Sequence, residues 1–252
     1  MPYLGQMDYN LEVLKGNVPN SSMVFLNGHD QALTTTRTTV HPTGTTANID
    51  QSGLASSAAT VDVASTDAND DDGDSGLRTL LLQGLDSSGN AQSETITMNG
   101  QTEVTSANTY SAITGMIGTS WGASAYNEGT VWCGNGTFTG GVPATKYFSM
   151  DANGNKALTA YIVVPTSQTY YMRQITLAVA TSNKDVDFYL ETSSNGLNWI
   201  TQAVFGMEPF TWQGNIIAVP GLVAGTHVRV EAQSSASGTD VTAIVAFEAV
   251  TS

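Results

Sequence analysis

The pentapeptide Gly118-Thr119-Ser120-Trp121-Gly122 has the G-x-S-x-G spacing that seats a nucleophilic serine on a strand-to-helix elbow, and Asp185, Asp187 and His227 follow in an order that a hydrolase triad allows. The elbow needs a helix behind the serine. The run from Ala123 to Gly129 is too short for one and leads into another strand-like stretch. The pentapeptide therefore reads as a turn, Ser120 as a loop residue, and the chain as a non-enzyme with no catalytic residue assigned.

Asp67, Asn69, Asp70, Asp71, Asp72 and Asp74 gather hard oxygen ligands of the kind Ca²⁺ takes. Counting an EF-hand loop from Asp67 puts Asp72 where glycine is needed and Arg78 where glutamate is needed, so that motif fails. The favoured reading is a solvated acidic loop, with an irregular cation site or an intersubunit ion contact as the alternative. His29, His41 and His227 share no ligand spacing with each other or with Cys133, and no metal or cofactor is assigned. Cys133 follows Trp132 in a strand-like run and reads as a small buried hydrophobe. The aromatics Tyr170, Tyr171, Trp199, Phe205, Phe210 and Trp212 read first as core and second as a platform for sugars, with Phe210-Thr211-Trp212 the most exposed subset.

The elements that must carry these residues read as strands. Only 12% of the 252 residues are charged, too few for long solvated helices, and Thr, Ser, Gly and Asn are abundant. Leu77 to Leu85 and Ala91 to Met98 read as paired strands, followed by an Asn99-Gly100 turn of type I′ into Gln101 to Val104. Further strands are expected at Met23–Leu26, Ala59–Ser65, Tyr110–Met116, Ala157–Val164, Tyr170–Ala180, Val186–Thr192, Trp199–Phe205, Asn215–Val219, His227–Ala232 and Thr242–Val250. The glycine-rich stretch from Gly134 to Thr145 reads as a boundary. The expected fold is all-β: two β-sandwich or jelly-roll-like modules with an extended N-terminal arm. Residues 1–57 would form the arm and a loop segment, 58–141 the first module and 146–252 a C-terminal sandwich. The apolar residues among the first 21 suggest an arm that docks on something.

The net charge of −14, from 22 acidic against 8 basic residues, argues against nucleic acid and anionic membrane as partners. A single cysteine fits synthesis in a reducing cytosol, and the first residues lack the basic-then-apolar pattern of a secretory signal.

The series Ala68-Asn69-Asp70, Asp71 to Gly76, Arg78 to Leu82, Gly84-Leu85-Asp86, Gly89-Asn90, Ser93-Glu94-Thr95 and Asn99-Gly100 resembles a β-module of virion structural proteins of tailed bacteriophages, marine and cyanophage-like ones among them. That resemblance implies capsid decoration or cement, or attachment at the head, neck or tail. The implied partners are the major capsid protein or neck and tail proteins, in a homo-oligomer for which a trimer is favoured. The implied location is the virion, made in the host cytoplasm and released by lysis. The alternative is a fibre-type module binding a receptor or glycan.

Overall fold

Alternating burial along single stretches of chain decides the architecture. In Gln168–Val179, Tyr170 and Met172 point inward and Tyr171 outward; a bulge at Arg173 then resets the alternation so that Ile175, Leu177 and Val179 return to the same side. The computed structural model describes residues 9–42, 49–214 and 220–251. In chain order its elements are α1 (Tyr9–Leu14), β1 (Ser21–Leu33), β2 (Thr38–Thr39), α2 (Ser52–Ser56), β3 (Asp62–Ser65), β4 (Leu77–Leu85), β5 (Ala91–Thr97), β6 (Val104–Thr105) and β7 (Ala112–Trp121). There follow β8 (Val131–Thr139), β9 (Val142–Met150), β10 (Tyr161–Val163), β11 (Gln168–Val179), β12 (Val186–Ser193), β13 (Ile200–Met207), β14 (Thr211–Gly214), β15 (His227–Ser234) and β16 (Thr239–Thr251).

Among the described residues the strands form four small antiparallel sheets. Sheet one has the order β1-β16-β11-β14, and sheet two the order β10-β15-β12-β13 with β2 also on β15. Sheet three runs β6-β3-β8-β9, and sheet four β5-β4-β7. Sheets one and two supply the first core, including Leu26, Ile175, Phe188, Val230 and Phe247. Sheets three and four supply the second, including Leu80, Tyr110, Met116, Cys133 and Phe148. Each such side chain contributes about 1.5–3 kcal/mol on full burial. Tyr161 and Val163 of β10 belong to the second core while Ile162 between them belongs to the first, so one short strand joins the two.

This arrangement corrects the expected fold. The chain is all-β, but two sandwich or jelly-roll modules behind an extended arm do not describe it: there are four separate small sheets, the blade number of a small β-propeller. The stretch expected to be an arm instead supplies β1, a thirteen-residue strand that pairs with β16 from Ser21 opposite Val250 to Leu33 opposite Thr239, with an irregularity between Asp30 and Leu33. The expected docking of residues 1–21 lies outside the described residues up to position 8; beyond it, α1 packs on its own chain, where the Tyr9 hydroxyl donates to Glu248 Oε1 at 2.6 Å and Arg173 holds the other oxygen. Burying Glu248 without these partners would be costly.

Other local readings also shift. The Asn99-Gly100 turn does not return the chain as a hairpin: only Gly100 has positive φ, its N–H donates to the Asp70 carbonyl at 2.8 Å, and β6 pairs with β3 rather than β5. The strand expected at Asn215–Val219 lies outside the described residues, and Thr211 and Trp212, two of the three residues Phe210–Trp212 read as most exposed, belong to β14, which pairs with β11. Arg37 clamps β2 and its approach onto sheet two through Glu191 and, at 2.6 Å, Glu231, with its guanidinium 3.8 Å from the Tyr189 ring centre. Burial pushes the Glu231 carboxyl above its ordinary range despite the neighbouring Arg229 and Arg37.

Gly134 to Thr145 forms the β8–β9 hairpin, whose turn glycines have φ of +54° at Gly140 and +79° at Gly141. A side chain at Gly141 would also meet the carbonyl of Ser65, so this turn is pressed against the end of β3. Gly141→Ala is expected to cost about 1–3 kcal/mol for the backbone conformation alone, and more for the collision. Urea denaturation measures it; an unchanged midpoint would show that the hairpin does not pack there.

Candidate ligand-binding site

The acidic loop is organised around one carboxylate. Asp70 is fully buried, and its Oδ1 accepts the N–H groups of Leu77 at 2.7 Å and Glu128 at 2.9 Å. Its Oδ2 accepts the Ser65 hydroxyl at 2.5 Å and the Gly129 N–H at 2.9 Å. With both oxygens engaged twice by the protein's own donors, Asp70 acts as a structural anchor. Glu128 is held in turn by Ser124, by Ser75 at 2.6 Å and by Asn69 at 2.8 Å, and these hydrogen bonds lower its pKa. Asp67 and Asp71 accept N–H groups two residues on, as turn-forming aspartates do.

Ser120 and His227, the serine and histidine of the hydrolase reading, are engaged elsewhere. Ser120 lies near the end of β7, with no helix behind it, and its hydroxyl pairs with Thr79 at 2.5 Å. His227 begins β15, where its Nδ1 meets the Tyr161 hydroxyl at 2.6 Å and its ring lies edge-on to Trp199. Burial pushes the His227 pKa down to about 4. Cys133 is fully buried, and burial raises its thiol pKa.

The six aromatics weighed as a sugar platform are dispersed. Tyr170 is buried in the first core, while Phe205 and Trp212 stack at 5.3 Å against its margin. Trp199 packs on the second core beneath the Arg229 guanidinium, 3.9 Å from its ring centre. Phe210 and Tyr171 are left exposed.

A different aromatic meets the polar groups a ligand would need. Between β1 and sheet four lies a cleft of about 490 Å³, within the range of small-molecule sites. Ser22, Val24, Phe25, Leu26 and Asn27 contribute from β1, the terminal strand of sheet one, and Phe25 there is about half exposed. Gln83, Ser93 and Gly115, paired across β4, β5 and β7, contribute from sheet four. A Cβ on Gly115 would stand 2.8 Å from Gln83 Oε1, so glycine there leaves space for the amide. Lys156, Thr159 and Gln168 complete the polar lining, beside Ile162 and Tyr170. Gln92 is committed to the Thr109 carbonyl, whereas the side chains of Gln83, Lys156 and Gln168 have no hydrogen bond or ion pair among the described residues. The sequence reading missed this site because its walls come from stretches far apart in the chain, and no single motif marks them.

No family model matches the chain, and no curated protein matches it. Among solved structures, the chain is similar to the cowpea mosaic virus top component, naturally occurring empty particles, at 9% identity. That match covers 75% of this chain and 80% of the other, with a TM-score of 0.22, a likeness too slight to support any inference. The resemblance to tailed-phage virion proteins is corrected by the four-sheet arrangement, which is not the jelly-roll module it implied. Capsid decoration, cement and head, neck or tail attachment fall with it, and the binding-module alternative accords better with the fold and cleft.

Two measurements probe these assignments. Asp70→Asn leaves two buried donors facing an amide nitrogen and is expected to cost about 2 kcal/mol or more, from about 1–3 kcal/mol per unsatisfied group. An Asp70→Asn protein as stable as wild type in urea would remove the anchor role. For His227, the folded pKa of about 4 lies below the ordinary 6.5, so the unfolded chain binds more protons between these values. Its contribution is fully present above about pH 6.5 and is lost as pH falls toward 4, amounting to about 3 kcal/mol. His227→Gln should flatten the stability profile across that window relative to wild type; parallel profiles would contradict the burial of a neutral imidazole.

Proposed function

We propose that the chain is a non-catalytic glycan-binding module whose ligand occupies the cleft between β1 and sheet four. The observation that carries this reading is the lining itself: the carboxamides of Gln83 and Gln168, without a hydrogen bond among the described residues, beside a half-exposed phenyl ring. A sugar presents adjacent hydroxyls, each both donor and acceptor. A carboxamide offers two donors and an acceptor within one plane and can serve a pair of them. The Phe25 ring supplies an apolar face for the C–H side of a pyranose. A purely apolar ligand would strip water from Gln83 and Gln168 without replacing their hydrogen bonds, which disfavours it. Nucleic acid is disfavoured by a lining with one cation.

A glycan array probed with the intact protein tests the reading, followed by titration calorimetry on the best ligand. Phe25→Ala and Gln83→Leu should each weaken binding about tenfold, the equivalent of about 1.4 kcal/mol for one lost contact, with an unchanged melting temperature. Retention of no glycan, or variants that bind like wild type, would overturn it.

A further inference from the structure

We infer that the cleft selects saccharides bearing a carboxylate, with Lys156 as the counter-ion; this rests on the glycan-binding reading above. The chain carries 22 acidic residues, yet among the described residues none lines the cleft, and the one charged residue of that lining is Lys156. In a protein with a net charge of −14, a lining of neutral residues with one cation is a place where an anion can approach without meeting a carboxylate of that lining.

Lys156 is also available. Its neighbours in sequence bind it to the fold through the backbone, by a bridge to Ile117 of β7, while its exposed side chain has no ion pair or hydrogen bond among the described residues. The contrast with the other cations is instructive: Arg37 and Arg229 serve Glu191 and Glu231, and Arg173 serves Glu248. An ammonium with three unclaimed donors can meet one carboxylate oxygen and an adjacent ring hydroxyl together. Gln83, two strands away on the same sheet-four wall, would then take hydroxyls further along the ligand, so that charge and hydrogen bonding are read side by side while Phe25 faces them from β1.

The test compares one sugar with and without its charge. Oligogalacturonate tetramer and its fully methyl-esterified counterpart are titrated into the intact protein and into Lys156→Met and Lys156→Arg. Wild type should bind the acid at least fivefold more tightly than the ester. Lys156→Met should lose that preference while keeping its affinity for the ester, and Lys156→Arg should retain the preference. Equal binding of acid and ester by wild type, or an undiminished preference in Lys156→Met, would overturn the inference while leaving the glycan reading intact. Failure of wild type to bind either form would overturn both, and Phe25→Ala separates the cases because it should weaken acid and ester alike.

Discussion

One buried carboxylate gathers the chain's second core into a fixed arrangement. Asp70 draws together the end of β3 through Ser65, the start of β4 through Leu77, and the approach to β8 through Glu128 and Gly129. These segments lie up to 59 residues from Asp70, so each hydrogen bond closes a loop whose entropy must be offset. Charge-assisted donors in a low-dielectric setting are strong enough to do so. Once β4 is placed, β5 and β7 align on its two edges, and the surface that forms one wall of the cleft is set.

The opposite wall depends on a pairing at much greater separation. β1 joins β16, at the other end of the chain, and so becomes the terminal strand of sheet one. Its far end is covered where the His29 N–H donates to the Leu158 carbonyl at 3.0 Å and Gly28 leaves no room for a side chain against Ala160. The near end, Ser22 to Asn27, remains on the cleft. The site is therefore a product of how the sheets meet rather than of any loop dedicated to it.

This explains which parts were legible in the residues alone. β4 was read with the bounds observed, Leu77–Leu85, because its five leucines lie between the turn residues that end at Gly76 and resume at Asp86. Strands with clean alternation, such as Val186–Ser193, were placed within a residue. Sheet membership was not legible, since alternation says which side faces inward but not which strand lies alongside. The role of Asp70 was hidden for a related reason: among six neighbouring oxygen-bearing side chains, only the folded position singles out the one that turns inward. The cleft was the least visible of all. Gln83, Phe25 and Lys156 are ordinary residues in their own segments and acquire meaning only as neighbours across a gap.

Cys133 gives the molecule an internal clock. Its sulfur is sealed within the second core, with its thiolate disfavoured by burial, so a thiol reagent in solution has no direct route to it. Modification must wait for β8 to separate from β3 and β9, the strands that flank it. The rate at which the lone thiol reacts thus records how often that half of the protein opens, without a label having to be introduced.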